Sequence, residues 1–167
     1  MGNNADQPAA GNQPGTRATP RDAFRDALVS LLEQAQHEIS VFGPVLDGHY
    51  FNTQRTAKAL GQFIARHHRN RARVLVEDGQ QLVRDNPRLL ELARRFADAV
   101  EIRRVGEDHV GLRELFVVTD SRVALYQPDI DQPLGGPPTC AAATLARRFQ
   151  TMWNLAEPLP GISPPGL

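Results

Sequence analysis

Asp47, His49, Tyr50 and Asn52 form the densest polar cluster with chemical potential in this chain. A histidine and an acid so close in sequence can exchange a proton if the fold sets them within hydrogen-bond reach. The same residues also suit a capped connection that leads into a helix. A second cluster is cationic: Arg66, His67, His68, Arg69, Arg71 and Arg73 make a local positive patch of the kind that holds polyanions. As a basic helix C-terminus it would equally answer the helix dipole, and that reading is preferred here. Arg113 has a planar fork suited to phosphate or carboxylate, or it is a surface arginine paired with Asp108 or Glu107. Asp120 sits in a Val-Thr-Asp-Ser corner, where aspartate stabilises its own turn. His109 precedes Arg113 in what reads as a loop. Cys140 is the single cysteine and the five histidines are scattered, so neither a disulfide framework nor a zinc site is expected. No cofactor is expected either. Gln132-Pro-Leu-Gly-Gly-Pro137 resembles an acetyltransferase pyrophosphate loop, but Pro137 removes a backbone donor that such a loop needs.

These residues must be positioned by a chain of 167 residues, 41% hydrophobic and 23% charged, which is one domain by size and soluble by composition. Its 19 basic and 19 acidic residues cancel, so no global field draws nucleic acid or an anionic membrane. Nucleic acid is therefore not expected as a partner. The N-terminus has no basic and apolar leader pattern, and no apolar run could span a bilayer. A cytoplasmic location follows as the expectation. Residues 1–18 lack large apolar side chains after Met1 and read as a disordered tail. Residues 157–167, with four prolines and two glycines, read as an unpacked tail, which leaves 19–156 as the domain.

Between the tails, helix and strand alternate. Thr19-Pro20 opens a helix with Phe24, Leu28, Leu31 and Leu32 on one face. Strands are expected at 39–42, 72–76, 100–105, 115–119 and 123–126, with the last two forming a hairpin. Helices are expected at about 53–68, from Asn86-Pro87 onward, and from near Thr139 through Trp153. The order α-β-α-β-α-β-β-β-α predicts an α/β fold with a mixed, mostly parallel sheet and helices on both faces.

Four segments within this order resemble one half of a phospholipase D-like domain. They are His37 to Asp47, His68 to Asp78, Arg113 to Asp120, and Phe149-Gln-Thr-Met-Trp153. The family's catalytic strand reads His, any residue, Lys, four residues, Asp. Here the frame holds Arg113, Leu115 and Asp120. In the family one histidine attacks phosphorus, a second protonates the leaving oxygen, and the lysines stabilise phosphoryl charge. Arginine stays protonated and cannot attack, and leucine supplies no charge. The family's following Gly-Ser and Asn signature is also missing from 129–139. The resemblance thus implies an inherited fold without phosphodiesterase activity: a bacterial, non-catalytic binding or assembly module.

Asp47, His49, Tyr50, Asp78, Arg113 and Asp120 are its candidate binding residues, with a phosphate-containing ligand as the class they suit. Composite sites in the family leave room for a homodimer or another protein partner. Two alternatives stay open. One is an enzyme whose site has moved to the Asp47–Asn52 loop. The other is a regulatory companion of an acetyltransferase or nuclease.

Overall fold

A computed structural model of the protein describes residues 19–132 and 141–162. The expected N-terminal tail, Cys140 and residues 133–137 of the glycine-proline loop lie outside the described residues. Helix α1 (Pro20–Gln34) opens as its sequence predicts, with Thr19 Oγ1 accepting from the Asp22 amide at 3.2 Å. Strand β1 (Glu38–Phe42) follows, then the short α2 (Gly48–Phe51) and α3 (Gln54–Arg66), which Thr53 caps. Strand β2 (Arg71–Val76) leads to α4 (Gly79–Asp85), α5 (Pro87–Arg95) and β3 (Val100–Arg104). A 3-10 turn at Glu107–His109 precedes the hairpin of β4 (Leu115–Thr119) and β5 (Val123–Gln127). Helix α6 (Ala142–Asn154) and a two-residue β6 (Glu157–Pro158) complete the order.

The six strands form one sheet in the order β5-β4-β1-β2-β3-β6. Strands β1, β2 and β3 are parallel at its centre, as helical crossovers demand, while β4 pairs antiparallel with β1, β5 with β4, and β6 with β3. The expected mixed α/β sheet is therefore present. Period two sorts each strand between two apolar layers. Ile39, Val41, Val74, Ile102 and Val117 face the larger layer, with Phe24 and Leu28 of α1 and Phe63 of α3. Phe42, Leu75, Phe116 and Val118 face the other layer, which α6 supplies with Leu145, Phe149, Met152 and Trp153. A single helix of 13 residues cannot cover that face, so its lower half stays polar: Glu38, Arg71, Arg73 and Glu101.

Three elements depart from the sequence expectation. Helices α2 and α4 are too short to display a hydrophobic period and are held by local caps, Asp47 and Asp78. Strand β6 pairs Glu157 and Pro158 with Arg104 and Arg103, and Leu159 beyond it is buried. The packed domain thus continues past 156, and the expected C-terminal tail is corrected at its beginning.

Asp120 joins the hairpin to the start of β1. Its carboxylate accepts from the amides of Gln36 (2.9 Å), His37 (2.8 Å) and Glu38 (3.0 Å), and its own amide donates to Glu38 O at 3.0 Å. Asp120 and Ser121 both have positive φ, at 54° and 55°, the sign that a type I′ turn requires. Burial pushes the Asp120 pKa up, but the amides of Glu38, Gln36 and His37 outweigh it and hold the group below its ordinary 3.8. A depressed carboxylate contributes stability that is complete above its unfolded pKa and lost as pH falls through the folded value. Asp120→Asn should therefore cost about 1–2 kcal/mol at pH 7, a range reduced for the group's solvent access. Urea unfolding of both chains checks this. The difference should shrink as the pH is lowered below the ordinary value of 3.8.

Candidate functional site

The carboxyl ends of β1 and β2 meet the amino end of β4 at one edge of the molecule, where open α/β sheets place ligands. A cleft of about 760 Å³ lies there, lined among others by Arg21, Asp47, Tyr50, Gln81, Leu115 and Asp131. Its floor is built around the peptide of Leu46. Gln81 Oε1 accepts from Leu46 N at 3.1 Å and Gln81 Nε2 donates to Leu46 O at 2.7 Å. Asn86 Nδ2 adds a 2.8 Å bond to the same carbonyl, which explains why Asn86 starts α5 without a side-chain cap. Gln81, Asn86 and Arg21 were not singled out from the sequence, because each acts across a long sequence separation.

Of the candidate residues, the fold brings Asp47 and Tyr50 together in this cleft with Leu115. Asp47 caps α2 by accepting from the His49 amide at 2.8 Å, and its other oxygen meets Arg21 Nη2 at 2.5 Å. Hydrogen bonding to Tyr50 and then to Asp47 pushes the Arg21 guanidinium above its ordinary value. His49 lies beside the cleft with Nε2 3.4 Å from Asp22 Oδ1, yet that nitrogen, closed off from solvent, makes no hydrogen bond among the described residues. Tyr50 is buried against Phe24, with ring centroids 4.8 Å apart. Asn52 Oδ1 accepts from the Arg88 amide at 3.0 Å and ties α2 to α5.

The other three candidates lie elsewhere. Asp78 caps α4 through the Gln81 amide at 2.9 Å and borders a separate hollow with Glu77, Arg84 and Arg104. Arg113 pairs with Asp129 at 3.4 Å and with Asp131, not with Glu107 or Asp108, because its own carbonyl accepts from Ile130 N and draws the 129–131 turn onto it. Asp120 is at the far end of β4 and borders a different hollow with His37, Glu38 and Arg122. The Arg113–Asp120 frame therefore spans the sheet and does not converge on one pocket. Among the described residues no group of three or more His, Cys, Asp or Glu side chains is arranged to hold a metal.

The arginines differ in their partners. Arg21, Arg25, Arg55 and Arg113 around the cleft are all ion-paired. Arg66, Arg69, Arg71 and Arg73, at and beyond the opposite end of β2, have no carboxylate partner among the described residues. Arg66 donates to Ala35 O at 2.8 Å, and Arg71 donates to His68 O and Asn70 O, each at 2.9 Å. His67 and His68 stack with centroids 4.6 Å apart. Arg73 points onto the α6 face, donates to Gln150 Oε1 at 2.8 Å, and lies 5.2 Å from the Phe149 ring centroid and 5.4 Å from that of Trp153. Arginine at alternate positions of an otherwise apolar strand is the sequence signal for this surface.

A family model described as a domain of unknown function, DUF7931, matches residues 20–162, and the chain belongs to that family. No curated protein matches it. Among solved structures it is similar to TrmBL2, an archaeal chromatin protein whose structure is described as showing a novel mode of DNA binding. That similarity has 14% identity and a TM-score of 0.53, and covers 85% of this chain but 52% of the other, so the chain spans about half of that protein. It is also similar to NucT from Helicobacter pylori, with 9% identity, a TM-score of 0.50, and 83% and 92% of the two chains covered. At such identities the likeness concerns the fold. The expectation that nucleic acid is no partner is corrected by the first of these structures: a fold of this kind occurs in a DNA-binding protein. Net charge is a sum and does not describe a local patch such as Arg66, Arg69, Arg71 and Arg73, none of which is ion-paired among the described residues. Among the described residues no helix is long and apolar enough to cross a membrane.

The cleft floor depends on close contact between α2 and α4. A Cβ on Gly48 would lie 2.7 Å from the Asp85 carbonyl oxygen, whereas one on Gly61 of α3 meets nothing nearer than 3.6 Å. Gly48→Ala should destabilise the protein by roughly 1–3 kcal/mol. Gly61→Ala should be neutral or should stabilise by about 0.5–1 kcal/mol, because alanine is the better helix former. Thermal unfolding of the two variants in parallel reads the contrast.

Proposed function

We propose that this member of the DUF7931 family is a phospholipase D-like module that carries no phosphodiesterase chemistry and binds nucleic acid through the basic end of its sheet. The unpaired arginines of the Arg66–Arg73 run carry this reading. A cation that is not ion-paired remains available to phosphate, and several together release several counterions on binding. The fold shared with a DNA-binding chromatin protein supports the same partner class.

The side chains at the frame positions support the non-catalytic part of this reading. Leu115 presents an apolar side chain where the family's lysine would stabilise phosphoryl charge, and Arg113 is engaged by two aspartates. Asp47 is likewise engaged, by Arg21 and by the His49 amide. None of these groups is placed as a free nucleophile.

Fluorescence anisotropy with a short labelled duplex tests the binding. Affinity should fall steeply between about 50 and 200 mM salt, as it does when phosphate contacts dominate. The double variant Arg69→Ala, Arg71→Ala should flatten the logarithmic salt slope by about 2. Absent or salt-independent binding would refute the nucleic-acid role. Strand cleavage by the purified chain that disappears in Arg113→Ala would refute the non-catalytic assignment.

A further inference from the structure

The open half of the sheet's second face contains a groove of about 360 Å³ between β1, β2 and α6, lined by Glu38, Ser40, Arg73, Ala143, Arg147 and Gln150 among others. Four features distinguish it from an ordinary surface hollow. Arg73 projects from the middle of β2 and is half-buried, and among the described residues its hydrogen bond is to the neutral amide of Gln150. A desolvated cation is normally paired, because burial penalises its charge. Burial indeed lowers the Arg73 pKa, and Arg103 adds to the depression, while Glu38 and Glu101 offset part of it. The guanidinium is held against Phe149 and Trp153, so its fork is oriented before any ligand arrives. On the α6 side the wall includes Ala143 and Ala146, which leave space, and Arg147 stands exposed at the rim. Among the lining residues Glu38 is the one carboxylate, so two guanidiniums face a single acid.

We infer that this groove seats a backbone phosphate of a nucleic-acid strand, with Arg73 as the inner ligand and Arg147 as the outer one. The site rests on the nucleic-acid reading above and gives it a location that the exposed Arg66–Arg71 turn alone does not define. Arg71 precedes Arg73 on the same side of β2, so a strand leaving the groove passes directly onto that turn. The planar fork of Arg73 can give two parallel hydrogen bonds to one phosphate.

Trp153 is the chain's single tryptophan and packs against Arg73, which makes its emission a local reporter. The experiment titrates the full chain with a short single-stranded oligonucleotide, following both Trp153 emission and anisotropy. Removing Arg73 itself could disturb the Phe149–Trp153 packing, so the decisive variant is Ala143→Glu. Position 143 is exposed in the first turn of α6, where a carboxylate suits the helix dipole while it enters the groove. Ala143→Glu and Arg147→Ala should each weaken binding roughly three- to tenfold and suppress the Trp153 response. Wild-type behaviour of Ala143→Glu overturns the groove. If the Arg69→Ala, Arg71→Ala variant then loses binding, the nucleic-acid reading stands without it. Failure of the wild-type chain to bind any oligonucleotide overturns both. An equal Trp153 response to inorganic phosphate at matched concentration would assign the groove to a free anion and overturn the strand assignment.

Discussion

Three backbone amides converging on the Asp120 carboxylate fix the relation between the two halves of the sheet. Without them the Gln36, His37 and Glu38 amides would have no common acceptor to fix where the chain enters β1. The same contact sets the register of β4 on β1, in which Ile39 faces Thr119 and Phe42 faces Phe116. That register puts Phe116 beside Phe42 and under Phe149, the aromatic centre of the smaller layer. It also sends Leu115 to the opposite layer, at the cleft. Asp120 is thus sufficiently explained by the backbone it holds.

Much of this architecture was legible because its signals are local. The Thr19 cap, the spacing of Phe24, Leu28 and Leu32, and the alternation through β3 each depend on neighbours within a few residues. The missed elements lack such signals. Gln81 belongs to a helix of seven residues, and its role is defined by the peptide of Leu46, 35 positions away. Arg113 is separated from Asp129 by 16 positions, so sequence proximity favoured the wrong acids. The candidate cleft residues Asp47 and Tyr50 were accessible as a cluster, but Arg21 was not, since only the packing of α1 on α2 brings it there.

The arginines differ in what holds them, which composition cannot show. Around the cleft, Arg21 of α1 pairs with Asp47 at the start of α2 and Arg55 of α3 with Asp26 of α1, which ties the three helices together, while Arg25 pairs with Asp22 within α1. At the other end, arginines donate to carbonyl oxygens and to an amide, interactions that orient them without neutralising them. Orientation and neutralisation are separable properties of the same side chain. Arg21 and Arg55 show both together, whereas Arg66 and Arg73 show orientation alone.

Pro158 gives the sheet a definite boundary. It sits in β6, the terminal strand of the order, opposite Arg103. Proline has no amide hydrogen, so a further strand approaching from that side would meet a backbone unable to complete a ladder. The β6 edge is therefore closed by covalent structure and needs no bulky or charged guard to keep two copies from fusing edge to edge.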